Sequence, residues 1–84
     1  MKQLTLYTTS SCAYCVSAKT LLDKRGIPYQ EINLARDPDG RAKLLSVTGM
    51  LSFPQIVIDG ETIGGFTELV RADREGRLSD LMPA

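Results

Sequence analysis

Cys12 and Cys15 are the only thiols in the chain, separated by Ala13 and Tyr14. Two cysteines three positions apart lie one turn from each other on a helix, so their sulfurs can close a small disulfide ring. The first falls at a loop–helix junction. There the unpaired backbone N–H groups and the positive end of the helix dipole favour a thiolate. A thiol so placed ionises below its free value of about 8.5 and is a nucleophile near neutral pH. The second sits one turn inside and faces the core, which should keep it protonated until it attacks a mixed disulfide. Two plainer readings compete. The pair could be half of a zinc site, but there is no second cysteine pair and no histidine to complete one. It could also be two ordinary apolar helix residues. A strand before and a helix after favour the redox reading.

The elements that must hold this pair follow from periodicity and from turn residues. Gln3 to Tyr7 reads as a short buried strand, and Thr8 to Ser11 as a polar loop. Ala13 to Arg25 is helical, with Cys15, Ala18 and Leu22, and Val16 with Leu21, as its apolar stripe; Gly26 and Pro28 stop it. Tyr29 to Leu34 alternates as a second strand. Asp37 is placed to cap the next helix and Pro38 to open it. Leu44, Leu45 and Val47 are its expected core side, and Gly49 its end. Gly40 weakens its start. Pro54 to Ile58 and Glu61 to Ile63 flank Asp59-Gly60, a hairpin signal because the tight turn needs positive φ twice. Phe66 to Glu75 is the third helix, closed by Gly76, and Leu78, Leu81 and Met82 pack a terminal helical turn. The order β-α-β-α-β-β-α predicts one α/β domain over residues 1–84, with a parallel first pair, an antiparallel hairpin and helices flanking a mixed four-stranded sheet.

Bulk properties narrow the function. Lys plus Arg and Asp plus Glu are 10 each, so the net charge is zero, which argues against nucleic acid as a partner. No apolar run is long enough to span a membrane. Residues 1–6 lack the apolar segment of a secretion signal, so the expected location is cytoplasmic. In that compartment a lone cysteine pair is catalytic or metal-binding rather than a staple.

Three further features sit around the cysteines. Pro54 after Phe53 is either a plain strand start, which the base rate favours, or a cis peptide that turns the Phe53 N–H and C=O outward to pair with an extended substrate. Gly64-Gly65 before Thr67 and Glu68 is either a turn with a helix cap or an anion site at a helix N-terminus. Tyr14 either covers a bound thiol or lies on the surface.

Together, Tyr7-Thr8, Cys12-Ala13-Tyr14-Cys15, Phe53-Pro54-Gln55-Ile56, Ile58-Asp59-Gly60 and Ile63-Gly64-Gly65-Phe66 with Leu69 resemble the glutaredoxins across essentially the whole chain. The resemblance implies a thioredoxin fold, a cis Pro54 and glutathione as co-substrate. It also implies that Cys12 attacks protein disulfides and protein–glutathione mixed disulfides, with Cys15 completing dithiol reactions. Tyr14, Phe53, Pro54, Gly65, Thr67 and Glu68 would then bind glutathione: the γ-glutamyl group at Thr67 and Glu68, the cysteinyl part on the Phe53 backbone. The implied partners are a low-molecular-weight thiol and disulfide-containing proteins, and a monomer is expected.

The chain departs from the family pattern at three places. Ala13 stands where proline is common, Thr9 where a lysine is common, and Met50, Leu51, Ser52 and Phe53 where a basic residue is common. In the family those cations clamp the glycyl carboxylate of glutathione. Losing such a contact weakens binding by about 1.5–3 kcal/mol. Arg36 and Lys43 are candidate substitutes. Tyr7-Thr8-Thr9-Ser10 also resembles mycoredoxins, whose thiol, mycothiol, lacks that carboxylate; the Gly-Gly-Phe-Thr-Glu stretch ranks this second. A small residue in place of the proline also accompanies a [2Fe–2S] cluster bridging two glutaredoxin chains. Here Cys12 would be the ligand from each chain, with external thiols completing the set.

Overall fold

The computed structural model describes residues 2–82. Its elements are β1 (Leu4–Thr8), α1 (Ala13–Lys24), β2 (Tyr29–Asn33), α2 (Pro38–Thr48), β3 (Gln55–Ile58), β4 (Glu61–Gly64), α3 (Phe66–Arg74) and a 3-10 turn, Ser79–Leu81. They build a four-stranded sheet in the order β2-β1-β3-β4. β1 and β2 run parallel, as strands joined through a crossover helix do. β3 is antiparallel to both β1 and β4. This is the thioredoxin-like arrangement the sequence predicts.

Strand alternation divides the side chains. Leu4 and Leu6 of β1 and Ile56 of β3 turn to one face and meet Ala18 and Leu22 of α1 and Leu69 and Ala72 of α3, all buried. Full burial of each Leu or Ile contributes about 1.5–3 kcal/mol. Leu78 and Leu81 close this core. Thr5 and Tyr7 on β1 and their partners Val57 and Gln55 on β3 alternate to the opposite face. Here the Gln55 amide donates to the carbonyls of Met50 and Ser52, at 3.0 Å each, just beyond α2.

The helices present narrower apolar faces than their periodicity predicts. Val16 is 59% exposed, since the buried line of α1 is Cys15, Ala18 and Leu22, with Leu21 packed beside it on the core. Leu45 and Val47 are exposed too, leaving Leu44 as the buried residue of α2.

Element ends follow the local chemistry. Asp37 caps α2, its carboxylate accepting from the Gly40 N–H at 2.8 Å. Gly40 is a fitted part of that start: a Cβ there would lie 2.5 Å from Asp37 Oδ2 and 2.9 Å from Leu34 Cδ2. α1 ends with Gly26 N–H donating to Asp23 and Ile27 N–H to Leu22, the paired closure of a Schellman motif. The hairpin turns through Asp59 at φ +49° and Gly60 at φ +80°. Strand bounds shift by about a residue. Thr8 joins β1, Gly64 joins β4, and Gln3, Leu34 and Pro54 lie just outside their strands.

Candidate active site

β1 ends at Thr8, and the chain then turns through Ser11 at φ +56°, a left-handed conformation uncommon for serine. That turn delivers Cys12 to the N-cap of α1 in an extended conformation, φ −111° and ψ 104°. Its sulfur accepts the Cys15 N–H at 3.1 Å, so it satisfies one of the orphan donors of the helix start. Cys12 is half-buried, whereas Cys15, one turn inside, is 2% exposed. The two are joined as a disulfide, with Cα atoms 5.2 Å apart. Cys12 is thus the more accessible of the two, and Cys15 the buried one.

A second loop closes on this sulfur, and a third packs against the second. The Cys12 Sγ lies 3.7 Å from the carbonyl oxygen of Phe53, which precedes Pro54 through a cis peptide bond. The two hydrogen bonds from Gln55 pin the loop that carries Phe53. Periodicity gives no hint of this: a glutamine in a strand reads as a surface residue, yet Gln55 is 1% exposed. Its Oε1 has no hydrogen-bond partner among the described residues. The third loop is Gly64-Gly65. A Cβ on Gly65 would stand 3.4 Å from the Pro54 carbonyl oxygen, so this glycine packs directly on the proline loop. Gly64 at φ +132° leaves room for Glu68, whose side chain folds back over it, and the Gly65 N–H donates to Glu68 Oε1 at 2.9 Å. The Tyr14 and Phe66 rings meet with centroids 5.8 Å apart, tying the inter-cysteine segment to the start of α3.

Polar groups frame the site from below. Lys19 Nζ is 3.2 Å from Glu31 Oε2, which also accepts from the Thr8 hydroxyl at 2.9 Å. These three line the same hollow as Cys12 and Cys15. Arg25 and Asp73 form a two-point ion pair at 2.9 and 3.0 Å that clamps α1 to α3. The hydrogen bond and charge of Asp73 push the guanidinium pKa above its ordinary value. The hollow beside Phe53 is lined by Ala42, Leu45, Met50 and Leu51 with Arg41. Arg41 donates to the carbonyls of Leu34 and Ala35, at 2.6 and 3.0 Å. The expected substitutes Arg36 and Lys43 do not line this hollow; Arg41 does, while the stretch Met50 to Phe53, basic in many glutaredoxins, carries no charge here.

Fold and site together define a thiol–disulfide oxidoreductase: an accessible sulfur caps a helix, and a buried sulfur stands within bonding reach of it. The glutaredoxin family model matches residues 4–63. Among curated proteins, the glutaredoxin of Pseudomonas aeruginosa is 38% identical over 84 residues, covering 100% of both chains. Glutaredoxin 1 of Rickettsia bellii is 42% identical over 81 residues, 92% of this chain and 83% of that one. Among solved structures, a buckwheat glutaredoxin–glutathione complex superposes with a TM-score of 0.85 at 33% identity, over 96% of this chain and 76% of that one. The chain belongs to the glutaredoxin family, which comprises glutathione-dependent thiol–disulfide oxidoreductases.

Proposed function

We propose that Cys12 is the attacking sulfur and Cys15 the resolving one. The carrying observation is the disulfide with one accessible and one buried sulfur at the start of α1. In the reduced protein the Cys15 N–H and the helix start favour Cys12 as thiolate. That thiolate attacks one sulfur of a substrate disulfide. The S–S bond breaks, a substrate thiolate leaves and takes a proton from solvent, and Cys12 carries the mixed disulfide. Cys15 then loses its proton to solvent and attacks the Cys12 sulfur, releasing the second substrate thiolate. The enzyme is left with the Cys12–Cys15 disulfide, and two glutathione molecules reduce it, emerging as glutathione disulfide.

Glutathione is the co-substrate in this reading. Its cysteinyl backbone pairs with Phe53 beside Pro54, and its γ-glutamyl carboxylate meets the α3 N-terminus at the Thr67 N–H, with the bare Gly65 leaving room for its approach. Tyr14 lies over the bound thiol. Glu68 acts indirectly, because its carboxylate is engaged with the Gly65 N–H and holds the loop in shape. The uncharged stretch Met50 to Phe53 supports a weak hold on the glycyl end, because the cation of that hollow, Arg41, is engaged with the Leu34 and Ala35 carbonyls. The buckwheat relative, solved with glutathione, supports the choice of thiol. Each chain carries both sulfurs, so a monomer suffices, and cycling with glutathione suits the cytoplasm. A [2Fe–2S] cluster would need Cys12 from two copies, since among the described residues no group of three or more potential ligands forms.

The test is turnover of a glutathione mixed disulfide by wild type, Cys12→Ser and Cys15→Ser. Cys12→Ser should be inactive and Cys15→Ser should keep monothiol activity. An active Cys12→Ser protein would refute the assignment. Running the assay beside mycothiol disulfides reads the thiol directly; preference for mycothiol would overturn glutathione.

A further inference from the structure

α3 carries a second outward stripe that starts at Thr67, in the proposed glutathione site, and runs on past what a small thiol would touch. Its buried line is Leu69 and Ala72. Thr67, Val70, Arg71 and Arg74, spaced i, i+3, i+4 and i+7, share another face and line an open groove of about 570 Å³. The groove begins at the Tyr14–Phe66 ring pair, and Tyr14 lies between the two cysteines, so one end of the groove is the rim of the redox site.

The charge of the groove is one-sided. Arg25 is held by Asp73, Lys19 by Glu31 and Lys2 by Asp80. Arg71 and Arg74 are exposed and form no ion pair among the described residues. The one carboxylate on the groove wall, Glu75, is 3.2 Å from Arg77 and so is already partnered. What remains is an aromatic and aliphatic floor, Tyr14, Phe66 and Val70, with two uncompensated guanidinium groups beyond it.

We propose that this groove receives the polypeptide flanking the attacked disulfide in a protein substrate, and that it selects segments bearing Asp or Glu. The proposal rests on Cys12 as the attacking sulfur and names the partner chemistry of that site. Arg71 and Arg74 lie five and eight residues past Phe66, about 7.5 and 12 Å along the helix axis at 1.5 Å per residue. An extended segment advances about 3.3 Å per residue. Its acidic residues therefore fall about two and four positions beyond the residue that packs on Tyr14 and Phe66. Arginine suits the task, because its planar fork pairs with a carboxylate at two points.

The experiment uses peptides whose single cysteine carries a thionitrobenzoate disulfide, so that attack releases a coloured thiol. One series places two residues as Asp, Ser or Lys three to six positions after the cysteine, and a mirror series places them before it. The full-length protein and Arg71→Glu/Arg74→Glu are compared at low and high salt. An uncharged small disulfide, bis(2-hydroxyethyl) disulfide, reports the Cys12 chemistry separately, and its rate should be the same in both proteins. In at least one series wild type should favour Asp over Ser by about three- to tenfold in kcat/KM at low salt, less at high salt. The double variant should lose that preference and favour Lys. Equal rates for Asp, Ser and Lys peptides in wild type would overturn the proposal. So would an Asp preference that survives the double substitution, or a rise in KM for glutathione as large as that for the Asp peptide, which would assign the arginines to the small thiol. Loss of activity on the small disulfide by wild type would instead count against the Cys12 reading beneath it.

Discussion

Replacing Glu68 with alanine tests how the Gly64-Gly65 loop is held. The substitution removes one hydrogen bond, Gly65 N–H to Glu68 Oε1 at 2.9 Å, and one negative charge from the first turn of α3. A partly buried bond of this capping kind is worth about 0.5–1.5 kcal/mol. The charge at the helix start adds about 0.3–1 kcal/mol. The expected loss is therefore about 1–2 kcal/mol. A domain of this size moves about 4–8 °C in Tm per kcal/mol, so Tm should fall by about 5–15 °C. Glu68→Gln keeps an acceptor oxygen and loses the charge alone, so it should fall by less than half as much. The same loop carries the start of α3, where the γ-glutamyl carboxylate is proposed to bind. Glu68→Ala should raise KM for glutathione several-fold, with kcat on a small disulfide nearly unchanged, because Cys12 and Cys15 are untouched. Calorimetry and steady-state kinetics read both effects. Gln and Ala variants of equal stability, or a fall in kcat with KM constant, would refute the reasoning.

Other substitutions test the packing. Gly40→Ala should destabilise, by about 1 kcal/mol or more in chemical denaturation, despite the better helix propensity of alanine, because its Cβ would displace the Asp37 cap and Leu34. A stabilised variant would show that the cap can give way. Leu22→Ala should cost about 2–5 kcal/mol, whereas Val47→Ala should stay within about 0.5 kcal/mol, since Leu22 is fully buried and Val47 is 75% exposed. Burial pushes the Tyr29 phenol pKa above its ordinary value of 10.0. The folded state then holds the proton more tightly than the unfolded one, so the contribution is complete below pH 10 and is lost as pH rises through the folded value. In ultraviolet titration, Tyr29→Phe should remove a phenol that ionises later than it does in denaturant; an unchanged late phase would reassign it.

Local signals in the chain determined much of this protein. The spacing of Cys12 and Cys15 at a helix start, the Asp59-Gly60 turn, the Asp37-Pro38 helix opening and the Gly26 stop each act within a few residues, so the elements and their order were legible without coordinates. Periodicity overstated the apolar faces at Val16, Leu45 and Val47, because it marks what could be buried and not which line meets a neighbour. Contacts between distant segments had no local signature. The approach of the Phe53 carbonyl to the Cys12 sulfur joins loops 41 residues apart in sequence. The burial of Gln55, the packing of Gly65 on Pro54, the Tyr14–Phe66 pair and the isolation of Arg71 and Arg74 likewise depend on how helices settle on the sheet. Hydrogen bonds within a turn are written in adjacent residues, whereas the surroundings of the sulfur are set by packing, and packing exists only in the assembled fold.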